Sequence, residues 1–198
     1  MSNMIPGKLV LIIGPSGVGK SVILKTLRKK HPELHFPRSA TTRARRRNEG
    51  ADLYNFVTES EFDALQEANT LLEWAVVHGG ARYGTLAEEI IPPIEQGTVV
   101  VREVDVQGFD SIRNHKYFRG ENAPYVLQSI FILPESEEQL IRHITHRAPM
   151  AEAELKHRIA SMKKELAYAE ECDVQIVNRE GALKETIAQV ERVLVSSF

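Results

Sequence analysis

The chain has 198 residues, 42% of them hydrophobic and 26% charged, with a formal net charge of −2. That length suits one α/β domain with insertions and is too short for two independent enzymes, and the near-neutral charge gives no electrostatic reason to expect nucleic acid or a membrane as partner. The single cysteine, Cys172, cannot form an internal disulfide. With no basic start and apolar core of a secretory signal, and no apolar run near the ~18 residues needed to span a bilayer, the expected location is cytoplasmic.

Residues 9–13 form an unbroken apolar run, read as a buried strand, and lead directly into Gly14-Pro15-Ser16-Gly17-Val18-Gly19-Lys20-Ser21. Residues 20–30 carry Val22, Ile23, Leu24 and Leu27 against lysines and an arginine, the pattern of an amphipathic helix that Pro32 ends. A short strand is expected over 52–57. Thr58 with Glu61 reads as a capping box opening a helix through Ala68. Residues 71–77 are a further strand candidate. Thr85 with Glu88 reads as a second capping box, whose helix runs into Pro92-Pro93 and ends or kinks there.

Residues 99–101 begin a buried strand that terminates in Glu103 and Asp105, and residues 127–133 supply another. Helices are expected over 135–147 and 151–171. A last strand at 174–177 precedes a helix with Leu183, Ile187, Val190 and Leu194 on one face. Alternating strands and helices imply a parallel sheet with helices on both sides. The segment 37–96 interrupts that alternation and is a candidate insertion covering the phosphate site, since ligands in such folds sit beyond the carboxyl ends of the strands.

The pattern G-x-x-x-x-G-K-[ST] is a phosphate-binding loop: its glycines let the backbone turn tightly and aim N–H groups at phosphate oxygens. Gly14 and Gly19 hold the required positions, Lys20 can reach the β- and γ-phosphates, and the Ser21 hydroxyl can ligate Mg²⁺. Downstream, Arg43, Arg45, Arg46 and Arg47 fall within five residues, with Tyr54 nearby. Guanidinium forks suit bidentate contact with phosphate, while a solvated basic surface or an RNA-binding patch is the alternative. Glu73 ends an apolar stretch; a carboxylate held in a pocket can accept from both N1–H and the 2-amino group of guanine, while a surface Glu beside a core Trp74 is the alternative. Cys172 reads as an inert thiol. His143 and His146 lie three apart with no third ligand in view, so a zinc site is not expected.

Taken in order and approximate spacing, the phosphate loop, Ser39-x-Thr41-Thr42-Arg43-x-x-Arg46, Tyr54-x-Phe56, Glu73-Trp74-Ala75, Tyr83-Gly84-Thr85, Asp105-x-Gln107-Gly108 and Glu165-Leu166-Ala167-Tyr168 resemble the guanylate kinase family over about residues 8–195. The resemblance implies an α/β fold with a P-loop NTPase-type parallel sheet flanked by helices, an inserted mixed α/β GMP-binding subdomain and a helical lid. Within a domain spanning 7–195, the core would be about 7–36, 97–135 and 160–195, the insertion about 37–96 and the lid about 136–159.

By the same resemblance, Gly14, Pro15, Ser16, Gly17, Val18, Gly19, Lys20, Ser21 and Asn178 would bind ATP, with Asn178 near the adenine. Arg43, Arg46, Tyr54 and Tyr83 would hold the GMP phosphate. Ser39, Glu73 and Thr85 would read the guanine, with Glu103 and Asp105 completing the acceptor side. Asp105 would also orient the Mg²⁺ shell. Lys20, Arg147 and Arg158 would be the catalytic set, the two arginines carried by the lid. A third family arginine falls at His143, beside Arg142, and the usual Arg-Gly pair is Arg147-Ala148. The spacing from Glu49 to Tyr54 is one residue shorter than the family pattern, and that from Trp74 to Tyr83 one longer.

The expected activity is therefore Mg²⁺-dependent transfer of the ATP γ-phosphoryl group to GMP, with no nucleic-acid or membrane partner and the oligomeric state left open. The alternatives are a kinase of this fold with another phosphorylated acceptor, or a catalytically silent scaffold binding protein in the GMP cleft. Ser39, Glu73 and Thr85 weigh against the first, the intact phosphate loop against the second.

Overall fold

The computed structural model describes residues 7–45, 47, 53–76, 80–147 and 152–195, apart from the side chains of residues 146, 147 and 153. In chain order the elements are β1 (Lys8–Ile13), α1 (Lys20–Lys30), β2 (Ser39–Thr41), β3 (Tyr54–Phe56), α2 (Glu59–Glu67), β4 (Leu71–Val76) and β5 (Arg82–Leu86). There follow a 3₁₀ turn (Ala87–Glu89), α3 (Ile91–Glu95), β6 (Val99–Glu103), α4 (Val106–Arg113) and β7 (Val126–Pro134). The chain continues through α5 (Glu137–Arg147), α6 (Glu152–Leu166), a second 3₁₀ turn (Ala167–Glu171), β8 (Val174–Asn178) and α7 (Leu183–Val195).

A four-stranded parallel sheet runs in the order β6-β1-β7-β8. All six residues of β1 are buried, as a strand covered on both faces requires. Contacts divide the chain into two compact units, one built on Val10–Glu33, Glu103–Val106 and the residues from Gln128 onward, the other on Leu34–Arg102 and Gln107–Leu127. In the first, α7 packs Ile187, Val190 and Leu194 inward, and Lys30 and His31 at the end of α1 both reach Glu191, at 2.5 and 2.9 Å.

The second unit contains a smaller mixed sheet, β3-β2-β5-β4. Its register pairs Ser39 with Tyr54 on one side and Thr85 on the other, and Thr85 in turn with Glu73. Four chemically distinctive side chains thus stand in one row across four strands. A register shift between Leu71 and Glu73 contributes to this. Such irregularities re-aim a side chain; here Leu72 is buried while Glu73 sits opposite Thr85.

Beneath that sheet lies α2, opened by the Thr58 capping box: Glu61 N donates to Thr58 Oγ1 at 3.2 Å and Thr58 N to Glu61 Oε2 at 2.7 Å. Its one fully buried side chain, Phe62, packs with Ala40 and Leu86, edge-on to Trp74 at 6.5 Å. Phe62→Ala is expected to destabilise the protein by about 3–5 kcal/mol, the range for emptying an aromatic core position. Chemical denaturation measures it, and a loss under about 1 kcal/mol would show that the sheet does not rest on this contact.

Two expectations are corrected. Thr85 opens no helix: it lies in β5, and the turn that follows has no side-chain cap. The Thr85 hydroxyl is instead committed to Glu73 across the strands. Nor do Pro92 and Pro93 end a helix. They occupy the first turn of α3, where a missing N–H costs nothing and the fixed φ favours initiation. The strands β2 and β5 and the helix α4 were not anticipated. The first two are short and polar, and α4 carries Gly108, a poor helix former, in its buried face.

Candidate active site

The phosphate loop joins β1 to α1. Gly14 has φ +148° and a Cβ there would meet Ile132 O at 2.5 Å; Gly19 has φ +104° and a Cβ there would meet Asn178 Nδ2 at 2.8 Å. Only glycine fits both places. Gly19 caps α1 without a side-chain acceptor and the first turn holds no acidic residue, so its N–H donors face outward for an anion. Pro15, Ser16, Gly17 and Val18 form the turn, with Val18 N donating to Pro15 O at 3.3 Å.

Lys20 lies back along this loop, donating to Gly14 O at 2.5 Å and Pro15 O at 3.1 Å, with Glu103 Oε1 at 3.7 Å. Burial pushes its ammonium below the ordinary lysine value, and the carboxylates of Glu103, Glu165 and Asp105 pull the other way. Ser21 Oγ points at Glu103 Oε2, 3.5 Å away. Around Lys20 and Ser21 opens a cavity of about 320 Å³ whose acidic lining is Glu103, Asp105 and Glu165. Asn178, at the end of β8, braces the loop: Nδ2 donates to Val18 O at 2.8 Å, and Oδ1 accepts from Thr186 Oγ1 at 2.9 Å.

The row across the smaller sheet forms a second cluster. Glu73 Oε1 accepts from Thr85 Oγ1, and the guanidinium of Arg102 lies 3.5 Å from the same oxygen and 3.2 Å from Ser39 Oγ. Next to it, Arg43 Nε donates to Tyr83 Oη at 2.9 Å, and its guanidinium stacks 5.3 Å from the Tyr54 ring centre. Tyr54 and Tyr83 meet edge-on at 5.8 Å. One cation flanked by two phenols is a fit site for a phosphate dianion.

Of the expected lid residues, Arg158 on α6 is ion-paired to Glu154 at 2.8 Å and 47% exposed. The Arg147 side chain and Arg46 lie outside the described residues. Arg142 reaches Glu180 at 2.7 Å, and His143 Nδ1 lies 3.2 Å from Gly17 O on the phosphate loop. Sequence reasoning overlooked Arg102. The only signal was slight: a basic residue set between the apolar run 99–101 and Glu103, which reads equally well as a solvated strand end.

A strand that delivers a glycine-rich loop into a helix, with carboxylates ending a second strand beside it, defines a phosphate-loop nucleotide-binding protein. The family model for guanylate kinase matches residues 6–197. A guanylate kinase of Thermosynechococcus vestitus is 39% identical over 192 residues, 96% of this chain and 95% of the relative. One of Nocardia farcinica is 40% identical over 177 residues, 88% and 87% of the two chains. The chain belongs to the guanylate kinase family. The crystal structure of guanylate kinase from Anaplasma phagocytophilum shares the fold, with a TM-score of 0.67 at 24% identity over 96% of this chain and 85% of that one.

Proposed function

We propose that this chain transfers the γ-phosphoryl group of ATP to the 5′-phosphate of GMP. A phosphate oxygen of GMP attacks the γ-phosphorus, the bond to the β,γ-bridging oxygen breaks, and its electron pair leaves with ADP; the other product is GDP. The observation that carries the reading is Glu73, a carboxylate anchored through Oε1 in a row with Ser39, Thr85 and Tyr54. Guanine offers N1–H and a 2-amino group to such an acceptor; adenine offers neither.

Ser39, Glu73 and Thr85 then read the base, and Arg43, Arg46, Tyr54 and Tyr83 hold its phosphate. Residues 14–21 cradle ATP, with Asn178 holding the loop from behind. The attacking oxygen is already ionised, so no strong general base is needed, and the protein's task is alignment and charge neutralisation. Ser21, Glu103 and Asp105 present only hard oxygen donors, the set that suits Mg²⁺ with substrate phosphates completing its shell. When bound, Mg²⁺ supplies charge neutralisation on the β- and γ-phosphates.

In this reading residues 7–36, 97–135 and 160–195 form the core, 37–96 the GMP-binding insertion, and 136–159 a lid. Closure of that lid brings Arg147 and Arg158 to the transferring group and excludes water. The location would be cytoplasmic; among the described residues no helix is long and apolar enough to cross a membrane.

ADP formation measured with GMP, AMP, UMP and CMP in turn tests the acceptor. GMP is expected to dominate; preference for another nucleotide points to a different acceptor, and no turnover with any of them to a silent scaffold. For the lid, Arg158→Ala is expected to lower kcat by about 10³- to 10⁵-fold, the range of arginine fingers elsewhere. A loss under about threefold would leave Arg158 a solvated helix charge paired with Glu154. Arg142→Ala, measured alongside, reports whether that neighbour serves in place of the arginine absent at His143.

A further inference from the structure

Arg102 closes an apolar strand, and its guanidinium points inward, with the side chain only 10% exposed. Burial works against its charge, which Glu73, Tyr54 and Glu89 support. A guanidinium stays protonated in proteins regardless. Its Nη2 lies 3.2 Å from Ser39 Oγ and 3.5 Å from Glu73 Oε1, while its buried Nε has no hydrogen-bond partner among the described residues. A cation kept inside with one donor unpaired is costly, and a purely structural position would be met more cheaply by an apolar side chain. The partners it does have are two of the side chains that face the acceptor base.

We propose that Arg102 is a positioning residue for base recognition: it anchors Glu73 through Oε1, so that Oε2 is the oxygen presented to N1–H and the 2-amino group. The inference rests on the GMP reading of the site. A carboxylate oxygen has about two lone-pair sites. Thr85 and Arg102 take those of Oε1, and Oε2 accepts no bond from a described residue. Anchoring through one oxygen also fixes the carboxylate plane, because Thr85 on β5 and Arg102 on β6 approach from different strands.

The test compares wild type, Arg102→Met and Arg102→Lys for kcat and for KM of GMP and of ATP. Removing one partner of a buried, hydrogen-bonded charge pair is expensive, so Arg102→Met is expected to raise the KM for GMP about 30- to 100-fold. The KM for ATP should stay within about twofold, and kcat should fall less than the GMP KM rises.

Arg102→Lys keeps the charge without the fork and should show a smaller KM rise, of about 3- to 10-fold. It carries the test alone if the Met variant does not fold. A GMP KM within twofold of wild type in whichever variants fold, or equal rises for GMP and ATP, overturns the proposal. Wild type that does not use GMP would sink the acceptor reading, and this inference with it.

Discussion

Lys20→Ala is expected to lower kcat by about 10²- to 10³-fold, the scale for removing one preorganised charge from a developing anion, while GMP affinity stays within about threefold. The physical reason is the position of the ammonium. It is carried by the first residue of α1, drawn into the loop by the carbonyls of Gly14 and Pro15, with Glu103 Oε1 3.7 Å away. Phosphate oxygens are stronger acceptors than those carbonyls, so bound ATP will take Lys20 from them. The contacts then tighten as negative charge shifts during transfer, which places the gain in the transition state rather than in substrate binding. Steady-state kcat and KM for both substrates measure this, and near-normal turnover would remove the phosphate loop from the mechanism.

Glu73→Gln should produce the largest change in selectivity. Sites built on buried polar groups reject analogues that leave those groups unpaired by factors of about 10⁴ to 10⁵ in favourable cases. AMP in the wild-type site would leave the carboxylate facing an unprotonated ring nitrogen. The Gln side chain keeps the size but brings one donor and a weaker, neutral acceptor, and it deprives Arg102 of its anionic partner. GMP use is therefore expected to fall while discrimination against AMP narrows. The quantity to measure is kcat/KM for both nucleotides in both proteins; an unchanged ratio would mean that Glu73 does not read the base.

These two residues differ in how visible they were. Lys20 stands in a contiguous eight-residue pattern whose geometry is local: glycines at positive φ, then a helix start. Glu73 stood out only as an acid after apolar residues, and its meaning depended on motifs elsewhere in the chain. What makes it a structured acceptor is the register that sets it against Thr85 and the shift at Leu71 that turns it there.

Two identical-looking signals show where local reading stops. Thr58-x-x-Glu61 and Thr85-x-x-Glu88 both match a capping box, and only the first is one. Around Thr58 the hydroxyl's partners are all local, Ser60 and Glu61. At Thr85, pairing with both β2 and β4 supplies the backbone with ladder hydrogen bonds, and Glu73 supplies the side chain with a partner twelve positions away. Non-local pairing of this kind is invisible to a pattern four residues long.

The phosphate loop, the alternation of buried strands and amphipathic helices, and the motifs that mark the family were legible in the chain alone, because each is carried by residues near one another. It took distant contacts to place Thr85 in a strand, Pro92 and Pro93 at the start of a helix, and Arg102 against Glu73 and Ser39, 29 and 63 positions away. The reason is the same in each case. A hydroxyl, a proline and a guanidinium all fit more than one local structure, and which is adopted depends on the partners that distant strands bring to them.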